Sequence, residues 1–292
     1  MSFRPFALML ALVGAVIALT GCGVSKVIDP VADAATKTEN AGGAKLAMTI
    51  SVDAPSASKQ FSITANGEFD KTQADITMDL SSALAGSGLS LPSGSGAVEL
   101  RYLQESGDPV VYANLGFLAS EIPGGKSWVR LDLAQAAKSA GIDLGQLMGQ
   151  SNQNPGQILD MLRASGSVTT VGSETVNGAS TTHYKASVDL SKLPQLQGKV
   201  GQELTKQLSD AGITDVPFDV WIGDDGLVHR LTMTEALKGV NVAVTLDISD
   251  YGTDVNVSAP ASDQVFDATG LASMLGGTAS GGSASLPAPA KS

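Results

Sequence analysis

Residues 46–53, which read LAMTISVD, decide the fold because large apolar side chains alternate with polar or small ones. Leu46, Met48, Ile50 and Val52 fall on one side of an extended chain, and the polar or small residues between them fall on the other. Alternation with a period of two is typical of a β-strand that buries one face and exposes the other. The stretch therefore predicts a half-buried antiparallel strand.

The same alternation recurs along most of the chain. In the next two segments the apolar side is formed by Phe61 and Ile63, and then by Ile76 and Met78. The dipeptide Asn177-Gly178 separates two further alternating runs and is a strong signal for a tight β-hairpin. The predicted strands after residue 80 cover residues 97–104, 110–115, 127–131, 168–176, 181–190, 216–222, 227–235 and 240–251.

Three segments have helical periodicity: residues 132–148, 155–164 and 196–211. Asn154 before Pro155 is a good helix start, because asparagine caps the free N–H groups and proline fits the first helical position. Strands and helices come in blocks, which is typical of an α+β fold. We expect one large curved antiparallel β-sheet, a half-barrel of about 11 strands, with about three helices on its concave face.

The N-terminus has the layout of a lipoprotein signal peptide. Arg4 is followed by an apolar run of about 14 residues, shorter than the roughly 20 that a membrane-spanning helix needs. The run ends in Leu19-Thr20-Gly21-Cys22, which matches the lipobox of bacterial lipoproteins. The alternative is an ordinary signal peptide followed by an incidental cysteine. Because Cys22 is the only cysteine in the chain, no internal disulfide can form.

These patterns predict four regions. Residues 1–21 form the signal peptide and residues 22–44 a lipidated tether, with one short helix near residues 30–38. Residues 45–258 form the folded domain, and residues 259–292 form a tail that ends in a low-complexity stretch. The expected location is the extracytoplasmic face of the cell membrane, where diacylglycerol and an N-acyl chain on Cys22 anchor the protein; no other cofactor is expected.

Composition and residue types exclude several functions. The net charge of −11 argues against binding to nucleic acid, which needs a basic surface. His183 alternates with polar residues and is expected to be exposed. His229 shares a predicted face with Met233 and with Glu235 at the strand end, so it either lines a cavity or is a satisfied core histidine. No serine nucleophile motif, phosphate-binding loop or metal-ligand spacing is present in the sequence, so we expect neither an enzyme nor a metal site.

Several motifs resemble the LppX/LprG lipoproteins of actinobacteria, which are related to the periplasmic carrier LolA. Besides the lipobox, they are residues 123–132 (PGGKSWVRLD), 176–178 (VNG), 181–184 (TTHY), 216–222 (VPFDVWI) and 227–230 (LVHR). The resemblance covers about residues 30–255 and is more specific for fold than for activity. It implies a half-open β-barrel that encloses an apolar cavity for acyl chains. Members of that family carry lipids or lipoglycans, or assist a partner transporter.

The residues and the resemblance together predict a membrane-anchored lipoprotein that binds, and transfers, lipid or acylated ligands. In the alternative, the same residues form a closed core, and the protein is an interaction partner of an envelope transporter or signalling complex. The candidate cavity residues are Leu46, Met48, Ile50, Phe61, Ile63, Ile76, Met78, Tyr184, His229, Met233, Val244 and Leu246.

Overall fold

The computed structural model describes residues 30–54, 59–85, 96–139, 166–189, 206, 209–210, 212–237 and 240–269. Three α-helices are described within these ranges: α1 (Pro30–Asn40), α2 (Ser81–Ala85) and α3 (Leu133–Ser139). The strands are β1 (Gly43–Ala54), β2 (Lys59–Phe69), β3 (Gln73–Asp79), β4 (Ala97–Glu105), β5 (Asp108–Asn114), β6 (Trp128–Asp132), β7 (Gly166–Val176), β8 (Ala179–Asp189), β9 (Asp215–Gly223), β10 (Val228–Leu237), β11 (Val240–Thr253) and β12 (Val265–Asp267).

All twelve strands belong to one open sheet in the order β12-β6-β5-β4-β3-β2-β1-β11-β10-β9-β8-β7. Neighbouring strands are antiparallel except for β12, which pairs with β6 in parallel. The sheet therefore consists of two meanders, β1–β6 and β7–β11, which are joined where β1 pairs with β11. The predicted α+β fold with a large antiparallel sheet is confirmed, and each of the eleven predicted strands is present.

Strand register gives the sheet two different faces. Ile50 lies between Ile63 on β2 and Val244 on β11, and Val244 lies opposite Met233 on β10. We call the side that carries these residues the apolar face. The intervening residues, such as Thr49 and Thr64, point to the other side, which we call the polar face. The alternation seen in the sequence is thus the alternation between the two faces of the sheet.

Helix α1 packs on the apolar face rather than extending away from the domain. Ala34 is 2% exposed and lies in a cluster with Val220, Ile222 and Val228. The Thr38 hydroxyl accepts a hydrogen bond of 2.9 Å from the backbone N–H of Val228. The short helix predicted near residues 30–38 is present, but the folded domain begins by residue 30, so residues 30–44 are not part of a tether.

The C-terminal segment crosses the polar face over β3 and β4. Gln73 donates to the Val255 carbonyl at 2.7 Å and accepts from the Val257 N–H at 2.9 Å, and Arg101 donates to the Ser258 carbonyl at 2.9 Å. The chain then forms β12 along β6. The described fold therefore continues to residue 269, past the predicted boundary at residue 258, because short backbone pairings beyond that boundary leave no trace in the residue pattern.

Glycine is required by the local backbone at two places, the β7–β8 turn and the contact between β2 and β3. Asn177 and Gly178 have φ values of 51° and 84°, as expected for the two central residues of a tight hairpin turn. Gly67 on β2 lies so close to β3 that a Cβ atom there would overlap the Asp75 carbonyl oxygen. Glycine inside a strand commonly marks such a close backbone approach.

The helix predicted for residues 132–148 begins as α3, which contacts β5 and β6. The predicted helix 155–164 and most of the predicted helix 196–211 lie outside the described residues. The signal peptide, Cys22 and residues 270–292 also lie outside them.

Candidate ligand-binding face

Eleven of the twelve candidate residues lie on the apolar face, and ten of them lie together across β1, β2, β3, β10 and β11. The eleventh, Tyr184, lies farther along this face on β8. Residues far apart in sequence become neighbours: Met48 pairs with Leu246, and Met78 pairs with Ala65. The ten are Leu46, Met48, Ile50, Phe61, Ile63, Ile76, Met78, Met233, Val244 and Leu246.

The apolar face has a packed patch and a half-buried strip. In the packed patch, every core residue is at most 8% exposed, and Leu80 and Ala83 pack against it; the core residues are Ile50, Val52, Ile63, Met233 and Val244. The strip lies beside this patch and is only half-buried; it consists of Leu46, Met48, Ile76, Met78, Leu231 and Leu246.

Small residues interrupt the half-buried strip on β2. Ala65 lies between Met48 and Met78, and Gly67 lies between Leu46 and Ile76. Long, flexible side chains thus flank the smallest ones. Methionine has an unbranched, adaptable side chain, so a surface of this kind can adjust to the shape of an apolar ligand.

Tyr184 and His229 do not belong to this strip. Tyr184 packs with Val220 in the cluster beneath α1. His229 lies at the turn between β9 and β10, where its Nε2 is 3.1 Å from Asp225 Oδ2. Its ring meets the Tyr251 ring edge-on, with centroids 6.0 Å apart. Of the two predicted alternatives for His229, the contacts fit a satisfied structural histidine and not a cavity residue.

Tyr251 is itself fixed at this end of the sheet. Its hydroxyl donates a hydrogen bond to the Val228 carbonyl, and burial raises the pKa of the phenol well above its usual value. These contacts therefore connect α1 to the ends of β10 and β11; they involve Thr38, Asp225, His229 and Tyr251.

His183 lies on the polar face, as predicted, but it is buried and not exposed. It is 8% exposed, with Nδ1 3.0 Å from Glu174 Oε1 and Nε2 2.6 Å from Asp219 Oδ1. Its ring stacks on Trp221 at a centroid distance of 4.2 Å, and Trp221 Nε1 donates to Glu174 Oε2 at 2.9 Å. The prediction of exposure was wrong because neighbouring strands supply all three of these partners.

The hydrogen bonds from Trp221 and His183 lower the pKa of Glu174 below its usual value. A carboxylate that accepts two such bonds is stabilised in its charged form. The group formed by Glu174, His183, Asp219 and Trp221 thus holds β7, β8 and β9 together on the polar face.

Glu235 was not among the candidate residues, although the alternation already put it on the same face as Met233. It lies two residues beyond Met233 on β10 and opposite Val242 on β11. Its Oε1 atom is buried, and no hydrogen-bond partner is present among the described residues. Burial raises the pKa of its carboxyl group.

The polar face carries a shallow depression of about 570 Å³. Most of its lining residues are polar or charged, so it does not suit an acyl chain; they are Lys45, Leu46, Ala47, Asn66, Gly67, Glu68, Asp75, Thr77 and Ser249. Within the described part of the chain, no helix combines the length and the apolar character needed to cross a membrane.

No protein-family model matches the chain. An uncharacterised 31.2 kDa protein of Streptomyces griseus, from the rplA-rplJ intergenic region, is 31% identical over 237 residues, which are 79% of this chain and 75% of that protein. A putative lipoprotein of Streptomyces coelicolor is 27% identical over 170 residues, which are 57% of this chain and 50% of that protein.

Among solved structures, that of the Mycobacterium tuberculosis lipoprotein LppX is similar with a TM-score of 0.43 and 14% identity. The similarity covers 78% of this chain and 96% of LppX. Given 31% identity over most of both sequences, the chain belongs to the same family as the Streptomyces griseus protein, and it resembles the LppX/LprG-type lipoproteins, as the sequence motifs predicted.

Proposed function

We propose that the protein is an envelope lipoprotein, acylated at Cys22, which binds the acyl chains of a lipid on the half-buried strip of its apolar face. It is a binding and transfer protein and not an enzyme. The strip itself carries the proposal, because it brings aliphatic and methionine side chains from four strands onto one incompletely buried surface.

The energetics favour such a ligand. Each methylene group that leaves water contributes about 0.8 kcal/mol, so a long acyl chain needs no charged residue to bind. The strip contains no aromatic side chain, and the small residues Ala65 and Gly67 lie between its longer aliphatic and methionine side chains. An acyl chain fits a surface of this shape better than a rigid, polar ligand does.

The packed patch favours a second function. Five residues at its centre are at most 8% exposed, as in a closed core. If the strip is closed in the same way, the lipoprotein acts as a membrane-tethered partner of an envelope transporter or signalling complex and binds no lipid.

Native mass spectrometry of the lipoprotein, purified from membranes in a detergent that is removed in the gas phase, separates the two functions. The covalent mass at Cys22 should equal one diacylglycerol and one N-acyl chain. A further, noncovalent lipid should remain on the protein if the strip binds acyl chains. A protein that carries only the covalent lipid, and takes up no added lipid, would support the closed-core function.

The first prediction is that the substitution Met48→Trp reduces lipid retention by about tenfold, because the indole ring fills the strip from the middle of β1. Thr49→Trp is the matched control, since Thr49 is the next residue and is exposed on the polar face. Ile50 is less suitable, because it is only 4% exposed and a larger residue there would disturb folding. Equal retention by both folded variants would contradict the assignment of the strip.

A further inference from the structure

Glu235 is a carboxyl group in an otherwise apolar surrounding. It follows Met233 on the apolar face of β10 and pairs with Val242, which itself pairs with Val52 on β1. Val216, Val240 and Val242 all pack against the same hydrophobic cluster. Register places Glu235 level with Val52 and Val242, two rows of side chains beyond Leu231 of the half-buried strip. An acyl chain on the strip therefore reaches this carboxyl group by passing over Met233 and Val244.

The carboxyl group has no partner among the described residues that would explain its position. Its Oε1 atom is buried without a hydrogen bond, whereas the carboxylates of the polar face, such as Glu99 and Asp247, are paired with arginines. A buried polar atom without a partner costs about 1–3 kcal/mol, so native proteins keep few of them. A ligand that supplies a hydrogen-bond donor would remove this cost.

The structure assigns Glu235 as the hydrogen-bond acceptor for the polar end of an acylated ligand that carries a hydroxyl or ammonium group. This inference rests on the proposed lipid-binding function. A carboxylate attracts such donors and repels anionic groups at short range, so a ligand whose polar end is a carboxylate or phosphate should bind less well. Neutral or cationic acyl lipids are therefore the expected class.

The test uses three ligands with the same chain length: monopalmitoylglycerol for the hydroxyl group, hexadecylamine for the ammonium group, and palmitate for the carboxylate. Each is titrated at neutral pH into the full acylated lipoprotein, and binding is measured by native mass spectrometry. The wild-type protein should bind the glyceride and the amine about tenfold more tightly than palmitate, as expected for one buried hydrogen bond.

Two substitutions separate charge from hydrogen bonding. Glu235→Leu should bring the three affinities to within about twofold of one another, because both the acceptor and the charge are gone. Glu235→Gln should keep the preference for the glyceride, since an amide oxygen still accepts, and lose the preference for the amine. Glu121→Gln, at an exposed position, is the matched control and should keep the wild-type order.

The outcomes are distinct for the two claims. If the Glu235→Leu variant still prefers the glyceride and the amine over palmitate, the role of Glu235 is overturned, while lipid binding itself stands. If the wild-type protein prefers only hexadecylamine over palmitate, the ligand class is cationic acyl lipids. If it prefers both hexadecylamine and monopalmitoylglycerol over palmitate, the class also includes neutral glycerides. If the wild-type protein binds none of the three ligands, the proposed lipid-binding function fails, and the role of Glu235 fails with it.

Discussion

At the scale of single residues, His183 connects three neighbouring strands. It lies on β8, its two carboxylate partners lie on β7 and β9, and Trp221 adds a stacked ring from β9. Because β7 is the last strand of the sheet, this group helps to hold the edge in place. Charge-assisted hydrogen bonds of this kind are stronger than neutral ones.

We predict that His183→Phe lowers the free energy of unfolding by about 1–3 kcal/mol at neutral pH, since Glu174 and Asp219 both lose a hydrogen-bond partner. Phenylalanine preserves a flat ring beside Trp221, so the loss reports on the polar contacts. Urea unfolding is the measurement. Lys185→Ala, at an exposed position on the same strand, should change stability by less than about 0.5 kcal/mol.

The effect should depend on pH in a defined direction. The folded protein holds the pKa of Glu174 below the usual 4.5, first through Trp221 and then through His183. Its contribution to stability is therefore present above pH 4.5 and is lost as the pH falls through the lowered pKa. The difference between wild type and His183→Phe should narrow in acid, and a difference that widens there would contradict this account.

The sequence predicts which face these residues lie on, but not their partners. Alternation placed His183 on the polar face and Glu235 with Met233, and both placements agree with the structure. Partnership depends on register between strands, and Asp219 is 36 residues from His183. A paired buried histidine and an unpaired buried carboxyl group therefore could not be recognised from local pattern.

At the scale of elements, the contact between β2 and β3 depends on Gly67. We predict that Gly67→Ala destabilises the protein by about 2–3 kcal/mol, because a methyl group there meets the Asp75 carbonyl and the strands must separate. Thermal or urea unfolding followed by circular dichroism measures the loss.

Gly172→Ala is a matched control on β7. A Cβ atom at Gly172 has open space around it, and its φ is not in the left-handed region. This substitution should leave stability unchanged or raise it slightly, because alanine restricts the unfolded chain. If the two alanine variants were equally stable, the close approach at Gly67 would have no energetic importance.

The eleven longer strands could be predicted because each has enough residues to show alternation. Strand β12 could not, because it has three residues and pairs in parallel with a strand more than 130 residues earlier. Trp128, on β6 beside it, is 6% exposed and lies under the side chain of Arg101, 4.9 Å from ring centroid to Cζ. Trp128 forms a buried cluster with Val110 and Tyr112 on β5, and Val265 on β12 packs against that cluster.

At the scale of the whole molecule, the two meanders meet along β1 and β11. Most strands pair with a neighbour in sequence, whereas Lys45 and Asp250, which form an ion pair across this junction, are 205 residues apart. Closing so long a loop costs entropy before any contact forms. The junction is therefore the least local part of the sheet.

We predict that the junction forms last during refolding. In pulse-labelling hydrogen exchange after dilution from urea, amides of the hairpins β4–β5 and β7–β8 should become protected before those that join β1 to β11. Both hairpins have tight turns with positive φ, at Ser106-Gly107 and Asn177-Gly178. Earlier protection at the junction than in the hairpins would rule out this order.

The position of β1 also constrains how the chain is made. Synthesis proceeds from the N-terminus, so β1 emerges long before β11, and its second edge stays unpaired until residue 253 is available. A chain that is threaded through a secretion channel must stay unfolded until it has crossed. A sheet whose central pairing waits for β11 delays its own completion, which suits the export that the proposed lipoprotein role requires.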